Sequence, residues 1–313
     1  MDVIIVCHTE FGFVNDKKNV IADKNRHEGV GDGVKNLIKI ADKYGAKVTF
    51  AVMPEVVDFF SKSTNHEIGL HIHPGWEKWR QDDFEWYVGD FYLRKKCQQL
   101  SSSSVLKDYS YEEQLGMIRV GKEYLERTLG ITPKVFVAGR WSLNNDIVKA
   151  LIETGFTHDC SASAHAKAVH FDWSELPRIC MPYHPDKNDY QKRGDLPLLI
   201  VPISQYFPRG NVNPEIVPIV GLSWLRACFL EYYKQEVPLF HICLHSPSMT
   251  DNYFISAMDN FLRFISKHKN INFKFASEIQ EYPQRNFKTN ISPYLFGINK
   301  EIFKSGLKKL IRF

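Results

Sequence analysis

The sequence predicts an α/β protein, built as a distorted TIM-like barrel of seven or eight parallel strands with their helices. Apolar runs rich in β-branched residues alternate with helical patterns over most of the 313 residues, which is typical of a parallel sheet. The number of these runs favours a barrel over an open sheet. An open doubly wound sheet would also want a glycine-rich phosphate loop after its first strand, and residues 7–12 do not form one.

Each element of this prediction follows from its local pattern. Apolar runs expected as strands cover residues 3–7, 47–52, 67–72, 134–138, 156–160, 198–203, 239–244 and, with the weakest pattern, 272–275. Helical patterns cover residues 33–44, 111–129, 146–154 and 253–267. Ser110 and Asn144 lie where helix N-caps belong, and Gly45, Gly130 and Gly155 lie where helices end.

We expect a single barrel domain over residues 1–283, with a long insert at 74–109 directly after the third strand. The insert is rich in aromatic residues, namely Trp76, Trp79, Phe84, Trp86, Tyr87, Phe91 and Tyr92. Its tryptophans either stack on the faces of sugar rings or attach the insert to the barrel.

Residues 284–313 form a basic tail with no expected strand of the barrel. Within 300–313, apolar residues share one helical stripe and alternate with basic ones. The apolar set is Phe303, Leu307, Leu310 and Ile311, and the basic set is Lys300, Lys304, Lys308, Lys309 and Arg312. Such a helix binds a membrane surface, packs on the barrel or contacts another subunit, and the pattern leaves all three open.

Composition excludes several classes of function. The net charge of +4, from 40 basic and 36 acidic residues, is too balanced to indicate a nucleic-acid-binding protein. The six cysteines form no CxxC pair, and four of them, Cys7, Cys160, Cys228 and Cys243, lie in apolar surroundings, which fits a reducing compartment. Neither a basic leader nor an apolar run of membrane-spanning length is found. We therefore expect a cytoplasmic protein, placed at the inner face of the membrane if the tail binds lipid.

Polar residues follow the predicted strands at the points where the strands end. His8 and Glu10 follow the first strand, His71 and His73 end the third, and Arg140 follows the fourth. Asp159 is at the end of the fifth predicted strand, Ser204 and Gln205 follow the sixth, and His245 follows the seventh. In a parallel barrel the carboxyl ends of all strands share one mouth, which is where catalysis is expected.

The residue types at this mouth predict a metal site. His71 and His73 are two apart on an extended strand and therefore point to the same side. With Glu10 they would form a site of two histidines and one carboxylate, which zinc prefers when positions are left open for catalysis. Such an ion activates water and polarises a carbonyl group. A further histidine could protonate a leaving amine, and Arg140 could keep a carboxylate base ionised, so amide or ester hydrolysis is the expected chemistry.

Several segments resemble the polysaccharide deacetylases, the NodB-homology or carbohydrate esterase family 4 proteins, over residues 1–282. HEIGLHIHP (66–74) resembles the motif that supplies two metal-binding histidines, and VFVAGRWSLNNDIVKALIETGF (135–156) is similar to the arginine motif. FHICLHSPSM (240–249) resembles the last motif, whose histidine, here His245, is the catalytic acid. AKVTFAVM (46–53), DWSELPRICMPYHP (172–185) and LLIVPIS (198–204) resemble further segments, of which the second would place Asp172 to orient catalytic groups.

The resemblance implies a distorted barrel, a divalent metal and N-deacetylation of a sugar. It is greatest to the cytoplasmic branch associated with surface-polysaccharide biosynthesis, so an N-acetylated and lipid-linked sugar is one expected substrate. The sequence departs from the family in its first motif, where His8-Thr9-Glu10 replaces the usual Asp-Asp pair of base and ligand. Either Glu10 is the ligand, and the usual base is missing or replaced by His8, or Glu10 is the base. The family also spaces its histidines by four, not two.

Three functions are therefore expected as alternatives. The first is a metal-dependent deacetylase, a hydrolase of carbon–nitrogen bonds other than peptide bonds. Its metal would be held by Glu10, His71 and His73, with His245, Arg140 and His8 as catalytic residues. The second is a barrel without a catalytic base that serves as a glycan-binding component of a polysaccharide biosynthesis complex. The third is a metal-dependent amidohydrolase that acts on a substrate other than a sugar.

Overall fold

The computed structural model describes residues 1–16, 19–23, 28–61, 64–74, 77–81, 84–88, 103 and 105–304. Between 12 and 23 and between 77 and 88 it describes the backbone strands alone. The strands are β1 Asp2–Thr9, β2 Gly12–Asp16, β3 Asn19–Asp23, β4 Val48–Val52, β5 Glu67–Ile72, β6 Glu77–Gln81, β7 Phe84–Val88, β8 Val135–Ala138, β9 His158–Asp159, β10 Lys167–Ala168, β11 Phe171–Asp172, β12 Leu199–Ile200, β13 Leu239–His245 and β14 Asn272–Phe273.

The α-helices are α1 Val34–Lys43, α2 Tyr111–Leu129, α3 Asn145–Glu153, α4 Val217–Val220, α5 Leu222–Lys234, α6 Asn252–Ile265 and α7 Ser292–Leu295. Short helical turns lie at Gly29–Gly33, Pro54–Phe59, Leu106–Asp108, Gly139–Trp141, Pro214–Ile216, Ser246–Thr250 and Ala276–Glu278. The N-cap of α2 is a capping box, in which the Ser110 side chain accepts from Glu113 N and the Glu113 carboxylate accepts from Ser110 N.

One curled parallel sheet forms the centre of the molecule and confirms the predicted barrel class. Its order is β12-β9-β8-β5-β4-β1-β13, with β14 paired beside β1, and every pair in it is parallel. The side chains on both faces of β1 and β4 are buried, as a sheet covered on two sides requires. The register sets His8 opposite His245, so the ends of β1 and β13 lie side by side.

The barrel is distorted where β12 approaches β13. β12 covers only Leu199–Ile200, because Pro197 and Pro202 on either side cannot donate a ladder hydrogen bond. Between β12 and β13, irregular segments that follow β12 form backbone hydrogen bonds with β13. Ser204 N donates to His241 O at 3.1 Å, and Cys243 N donates to Val212 O at 3.1 Å. The strand predicted at 198–203 is therefore present but much shorter than expected.

Two features were not expected from the sequence. Helix α5 buries seven of its thirteen residues and lacks one clear apolar stripe, so its pattern did not indicate a helix. The insert contributes β6 and β7 to a second sheet of order β2-β3-β7-β6. Trp76, Phe91 and Tyr92 lie outside the described residues, as do the side chains of the other insert aromatics, so the prediction of sugar stacking stays a prediction.

The tail packs on the barrel as far as residue 304. Tyr294 of α7 is buried, and its hydroxyl donates to Glu231 Oε2 of α5 at 2.9 Å. The Asn299 amide donates to Val220 O at 2.9 Å. Residues 300–304 are helical, while 305–313, part of the predicted amphipathic helix, lie outside the described residues.

Among the described residues, no individual helix has the length and apolar composition needed to cross a membrane. One pair, 214–220 with 222–234, meets the criterion jointly, with a bend of 113° between its helices.

Candidate metal and catalytic site

The strand ends bring four titratable side chains together at one mouth of the barrel. His8 ends β1, Glu10 follows it, and His71 and His73 lie at the end of β5 and just beyond it. Their residues are 3%, 4%, 0% and 3% exposed, respectively. Because a buried polar group without a partner is costly, a cluster of this kind requires hydrogen bonds or a bound cation.

His71 has a defined orientation and tautomer. Its Nδ1 lies 2.9 Å from the carbonyl oxygen of Val137 in the neighbouring strand, so Nδ1 must carry a proton and donate it. Its Nε2 then faces Glu10 Oε1 at 3.0 Å. A neutral imidazole would direct a lone pair at a carboxylate oxygen there, which is favourable only if a proton or a metal ion lies between them.

The donor atoms fit a divalent metal. One ligand atom each from His8, Glu10 and His71 lies within 4.8 Å of the other two. His73 Nε2 is 3.7 Å from Glu10 Oε1. The buried Nε2 of His8 has no hydrogen-bonding partner among the described residues, and coordination to a metal ion would satisfy its lone pair. Imidazole nitrogens with one carboxylate oxygen are the ligand set of catalytic zinc sites, so the residues present suit that ion.

Gly139 makes room for His73. A Cβ at position 139 would lie 2.5 Å from His73 Nδ1 and 2.5 Å from Ile72 O, which excludes any side chain there. Arg140 and Trp141 follow with φ values of 59° and 53°, in the left-handed region that non-glycine residues seldom adopt. The tight turn brings the Trp141 ring to 6.4 Å from the His8 ring. Backbone strain of this kind concentrates at functional sites.

Burial and neighbouring charges set the protonation states of this cluster. Burial, followed by the charge of His71, lowers the pKa of His8 well below its ordinary value. Burial also lowers the pKa of His73, the neighbouring His71 and Arg140 add to that effect, and the charge of Glu10 opposes it. Burial alone would raise the pKa of Glu10, but the hydrogen bond with His71 and the nearby histidines lower it to about 2. At neutral pH, therefore, His8 and His73 are uncharged and Glu10 is ionised, as metal ligands must be.

His245 forms a separate pair with a carboxylate. Its Nδ1 is 3.5 Å from Glu215 Oε1, and its backbone N–H donates to the same oxygen at 2.8 Å. The Ser248 hydroxyl also donates to that oxygen, at 2.7 Å. Burial opposes a charge on His245, but the hydrogen bond to Glu215 and the charge of Glu10 raise its pKa. His8 and His245 lie with ring centroids 4.7 Å apart, so two adjacent histidines have pKa values shifted in opposite directions.

Glu215 is a residue of this candidate site that sequence reasoning missed. It lies in the turn Pro214–Ile216, where the Asn213 side chain accepts from Ile216 N at 2.9 Å. Asn-Pro-Glu is a common sequence at the start of a helix, where an acidic residue in the first turn is favourable. The sequence therefore provided no reason to assign Glu215 to a site. Its pairing with His245 arises only from the return of the chain to β13.

The Asp172 carboxylate forms its hydrogen bonds within its own segment of the chain. It accepts from Lys167 Nζ at 2.5 Å and from the Ser174 hydroxyl at 2.6 Å, and the Lys167 hydrogen bond lowers its pKa to about 2. The adjacent Trp173 is buried, and its indole N–H donates to Trp141 O at 2.8 Å. This segment therefore supports the turn beside His8 through Trp173.

The remaining predicted mouth residues make hydrogen bonds that organise the barrel. Asp159 accepts from Ser161 N and Ser161 Oγ at 3.1 and 2.6 Å, and burial raises its pKa to about 7. Ser204 Oγ accepts from His241 N at 2.9 Å. The Gln205 side chain donates to Ile203 O at 3.3 Å. These contacts support structural roles, the interpretation preferred for Asp159 from its position in the sequence.

Comparison with known proteins gives no sequence family. No protein-family model and no curated protein matches the chain. Its fold is similar to a structure described as a polysaccharide deacetylase from Mycobacterium smegmatis, with 17% identity, 82% of each chain covered and a TM-score of 0.51. A structure from Pseudomonas aeruginosa PAO1, also described as a polysaccharide deacetylase, has 15% identity, 88% of each chain covered and a TM-score of 0.54. PuuE allantoinase has 14% identity, 88% of each chain covered and a TM-score of 0.56.

Identities this low establish the fold alone. The chain therefore has the fold common to these polysaccharide deacetylases and to PuuE allantoinase.

Proposed function

We propose that this protein is a metal-dependent hydrolase that removes the acetyl group from the nitrogen of an N-acetylated sugar. The substrate class is a sugar precursor or nascent surface polysaccharide, including a lipid-linked one. The observation that carries the proposal is the buried group of Glu10 and three histidines beside a fourth histidine paired with Glu215. Two solved structures of this fold are described as polysaccharide deacetylases, which supports the same reaction class.

Glu10 and His71 are the proposed core of the metal site, because they face each other across 3.0 Å. The third ligand is either His73, which the sequence favours, or His8, which forms the more compact set with them. A bound divalent ion, with zinc expected, polarises the amide carbonyl and lowers the pKa of water. Burial and Arg140 keep His73 neutral and so available as a ligand.

His245 is the proposed acid that protonates the leaving nitrogen. Its raised pKa favours the protonated ring, and Glu215 Oε1, which lies 3.5 Å from Nδ1, orients that ring. With His73 as the third ligand, the neutral ring of His8 is the proposed acceptor of the proton lost by the attacking water. The opposite pKa shifts of these adjacent rings match the two roles.

Metal content tests the site directly. We expect about one divalent ion per chain in the purified protein by elemental mass spectrometry, and its loss in His71→Ala. His165→Asn, at an exposed position, serves as the control and should keep the ion. Loss in His73→Ala but not in His8→Ala would identify His73 as the third ligand, and the reverse would identify His8. Full occupancy in His71→Ala would contradict the site.

Acetate release tests the reaction. The wild type is assayed on N-acetylated monosaccharides and oligosaccharides after metal loading, beside His245→Gln. That variant should retain the ion but lose about 100-fold or more in kcat, because only the proton donor is removed. An equally active His245→Gln would contradict its role as the acid.

A second function, glycan binding without turnover, has one observation in its favour. Both carboxylates of the described site are engaged, Glu10 with His71 and Glu215 with His245 and Ser248. A catalytic base of the carboxylate type is therefore not available among these residues. Calorimetric binding of a saccharide by the metal-loaded protein, with no acetate released, would favour this function.

A third function, amide hydrolysis of a substrate other than a sugar, is favoured by the similarity to PuuE allantoinase. Allantoin is the appropriate probe. Turnover of allantoin with none of the N-acetylated sugars would move the substrate class from carbohydrates to cyclic amides while leaving the metal site unchanged.

A further inference from the structure

The C-terminal segment exposes an unusual concentration of large apolar side chains. Five of the eight such side chains among the described residues lie between 291 and 303. They are Ile291 at 50%, Leu295 at 60%, Phe296 at 91%, Ile298 at 50% and Phe303 at 64% exposed. Single exposed apolar residues are ordinary on protein surfaces, but a contiguous group of this size marks an interaction site.

These side chains are held outward by an anchored backbone. The buried Tyr294 hydroxyl donates to Glu231 Oε2 at 2.9 Å and accepts from Phe207 N at 3.0 Å. The Ser223 hydroxyl donates to Gly297 O at 2.9 Å. Because the neighbours on both sides of Leu295 and Phe296 are fixed in this way, those two side chains cannot turn inward.

A positively charged cavity lies on the neighbouring helices. It measures about 260 Å³ and is lined by Arg226, Asn260, Arg263, Phe264 and Lys267. The Arg226 guanidinium lies 5.2 Å from the centroid of the Phe264 ring, and its buried Nε has no hydrogen-bonding partner among the described residues. Three cations with no carboxylate in the lining suit a phosphate group.

Helix α5 connects the apolar segment to the cavity. Its Ser223 contacts Gly297, while Arg226, three residues later, donates to Asn260 O of α6 at 3.4 Å. Residues 284–304 of the segment are basic overall. They contain one acidic residue, Glu301, and four basic ones, Arg285, Lys288, Lys300 and Lys304. We name the surface formed by residues 291–303, Arg226, Arg263 and Lys267 the C-terminal face.

We propose that the C-terminal face binds the surface of an anionic phospholipid bilayer. Leu295, Phe296 and Phe303 would enter the boundary between headgroups and acyl chains, and the cavity would receive a headgroup phosphate. The surface of such a bilayer has an anionic headgroup layer above an apolar acyl layer. The cations match the headgroup layer, and the exposed apolar side chains match the acyl layer. The inference goes beyond the proposed hydrolysis and does not depend on it.

Sedimentation with vesicles tests this surface. The full chain is mixed with vesicles of phosphatidylglycerol and phosphatidylcholine, or of phosphatidylcholine alone. We expect binding to the anionic vesicles, much weaker binding to the neutral ones, and a decrease as salt is added. The double variants Leu295→Ser with Phe296→Ser, and Arg263→Ala with Lys267→Ala, should each weaken binding about tenfold or more.

Matched controls sit away from the C-terminal face. Val169→Ser removes a side chain that is 90% exposed between β10 and β11, and Lys187→Ala with Lys192→Ala removes two exposed charges. Both controls should bind like the wild type. Failure of the wild type to bind anionic vesicles would overturn the proposal, as would full binding by either test variant. A dimer that only Leu295→Ser with Phe296→Ser disrupts, without vesicle binding, would overturn it in favour of a subunit contact.

Discussion

The proton on His71 Nδ1 determines which nitrogen of that ring can bind a metal ion. The Val137 carbonyl fixes that proton, so Nε2 is left to face Glu10. His245 has a comparable partner in Glu215, but there the partner is charged and raises the pKa of the ring. A neutral backbone acceptor therefore suits His71 to metal binding, and a charged carboxylate suits His245 to proton donation.

Glu215→Gln should change the pH dependence of the reaction. Glutamine keeps the size and one acceptor but removes the charge, so the pKa of His245 should fall. Since the protonated ring is the proposed acid, activity is lost as pH rises through this pKa, and the variant should lose it at a lower pH. On the alkaline side of the profile we expect kcat to fall about tenfold with little change in KM. The measurement is the pH profile of kcat, with exposed Glu153→Gln as control, and an unshifted profile would contradict the pairing.

Gly139→Ala should disturb His73. The added methyl group would meet His73 Nδ1 and Ile72 O at 2.5 Å, so we expect a loss of about 1–3 kcal/mol in the free energy of unfolding and lower metal content. Gly116→Ala in α2 is the matched control, because its Cβ meets nothing within 4 Å, and it should stabilise the helix by about 0.5–1 kcal/mol. Urea unfolding measures both. Equal behaviour of the two variants would show that position 139 tolerates a side chain.

At the scale of elements, helix α5 joins the barrel to the C-terminal segment through one buried ion pair. Glu231 is fully buried, and the Arg178 guanidinium donates to its Oε1. Asn290 N donates to the same oxygen at 2.7 Å, while Tyr294 occupies Oε2. A buried carboxylate is tolerated here because each of its oxygens has a hydrogen-bond donor.

Tyr294→Phe should loosen this junction. The change leaves Glu231 Oε2 and Phe207 N without the hydroxyl, so we expect a loss of about 1–3 kcal/mol in unfolding free energy. Tyr253→Phe, at a position 52% exposed, should cost close to nothing. Faster proteolytic cleavage within 284–304 in Tyr294→Phe would accompany the loss. No change in either measurement would mean that apolar packing alone holds the segment.

For the whole molecule, Asp159 makes stability depend on pH. Burial raises its pKa from an ordinary 3.8 to about 7, so between those values the folded chain keeps a proton that the unfolded chain releases. Stability from this group is fully present below about pH 4 and is lost as pH rises through 7. At about 1.4 kcal/mol per pKa unit, the loss amounts to a few kcal/mol.

Asp159→Asn should remove that dependence. Asparagine resembles the protonated acid, since it can accept from Ser161 N and donate to Ser161 Oγ. We expect the variant to match the wild type near pH 4 and to exceed it in unfolding free energy at pH 8. Asp195→Asn, at an exposed position, should follow the wild type at both values. A variant less stable than the wild type at pH 8 would mean that ionisation of Asp159 does not destabilise the folded protein, and would contradict the raised pKa.

The sequence by itself determined the strands of the central sheet and the helices α1, α2, α3 and α6, but neither α5 nor the second sheet. Apolar runs, caps and glycines located the strands and helices, because those signals are local and repeat with the period of the backbone. The candidate site residues could be recognised because each lies at or next to the end of a strand, and parallel strands share one mouth. They are His8, Glu10, His71, His73 and His245.

Only the tertiary structure decided which of these residues contact one another. The pairing of Glu215 with His245 joins residues 30 positions apart. The approach of His8 to Glu10 and His71, and the hydrogen bond from Trp173 to Trp141, likewise join distant parts of the chain. The outward position of the apolar side chains in the C-terminal segment also depends on the tertiary structure. Their positions depend on the order of the strands and the paths of the connections, and local periodicity in a sequence carries no information about either.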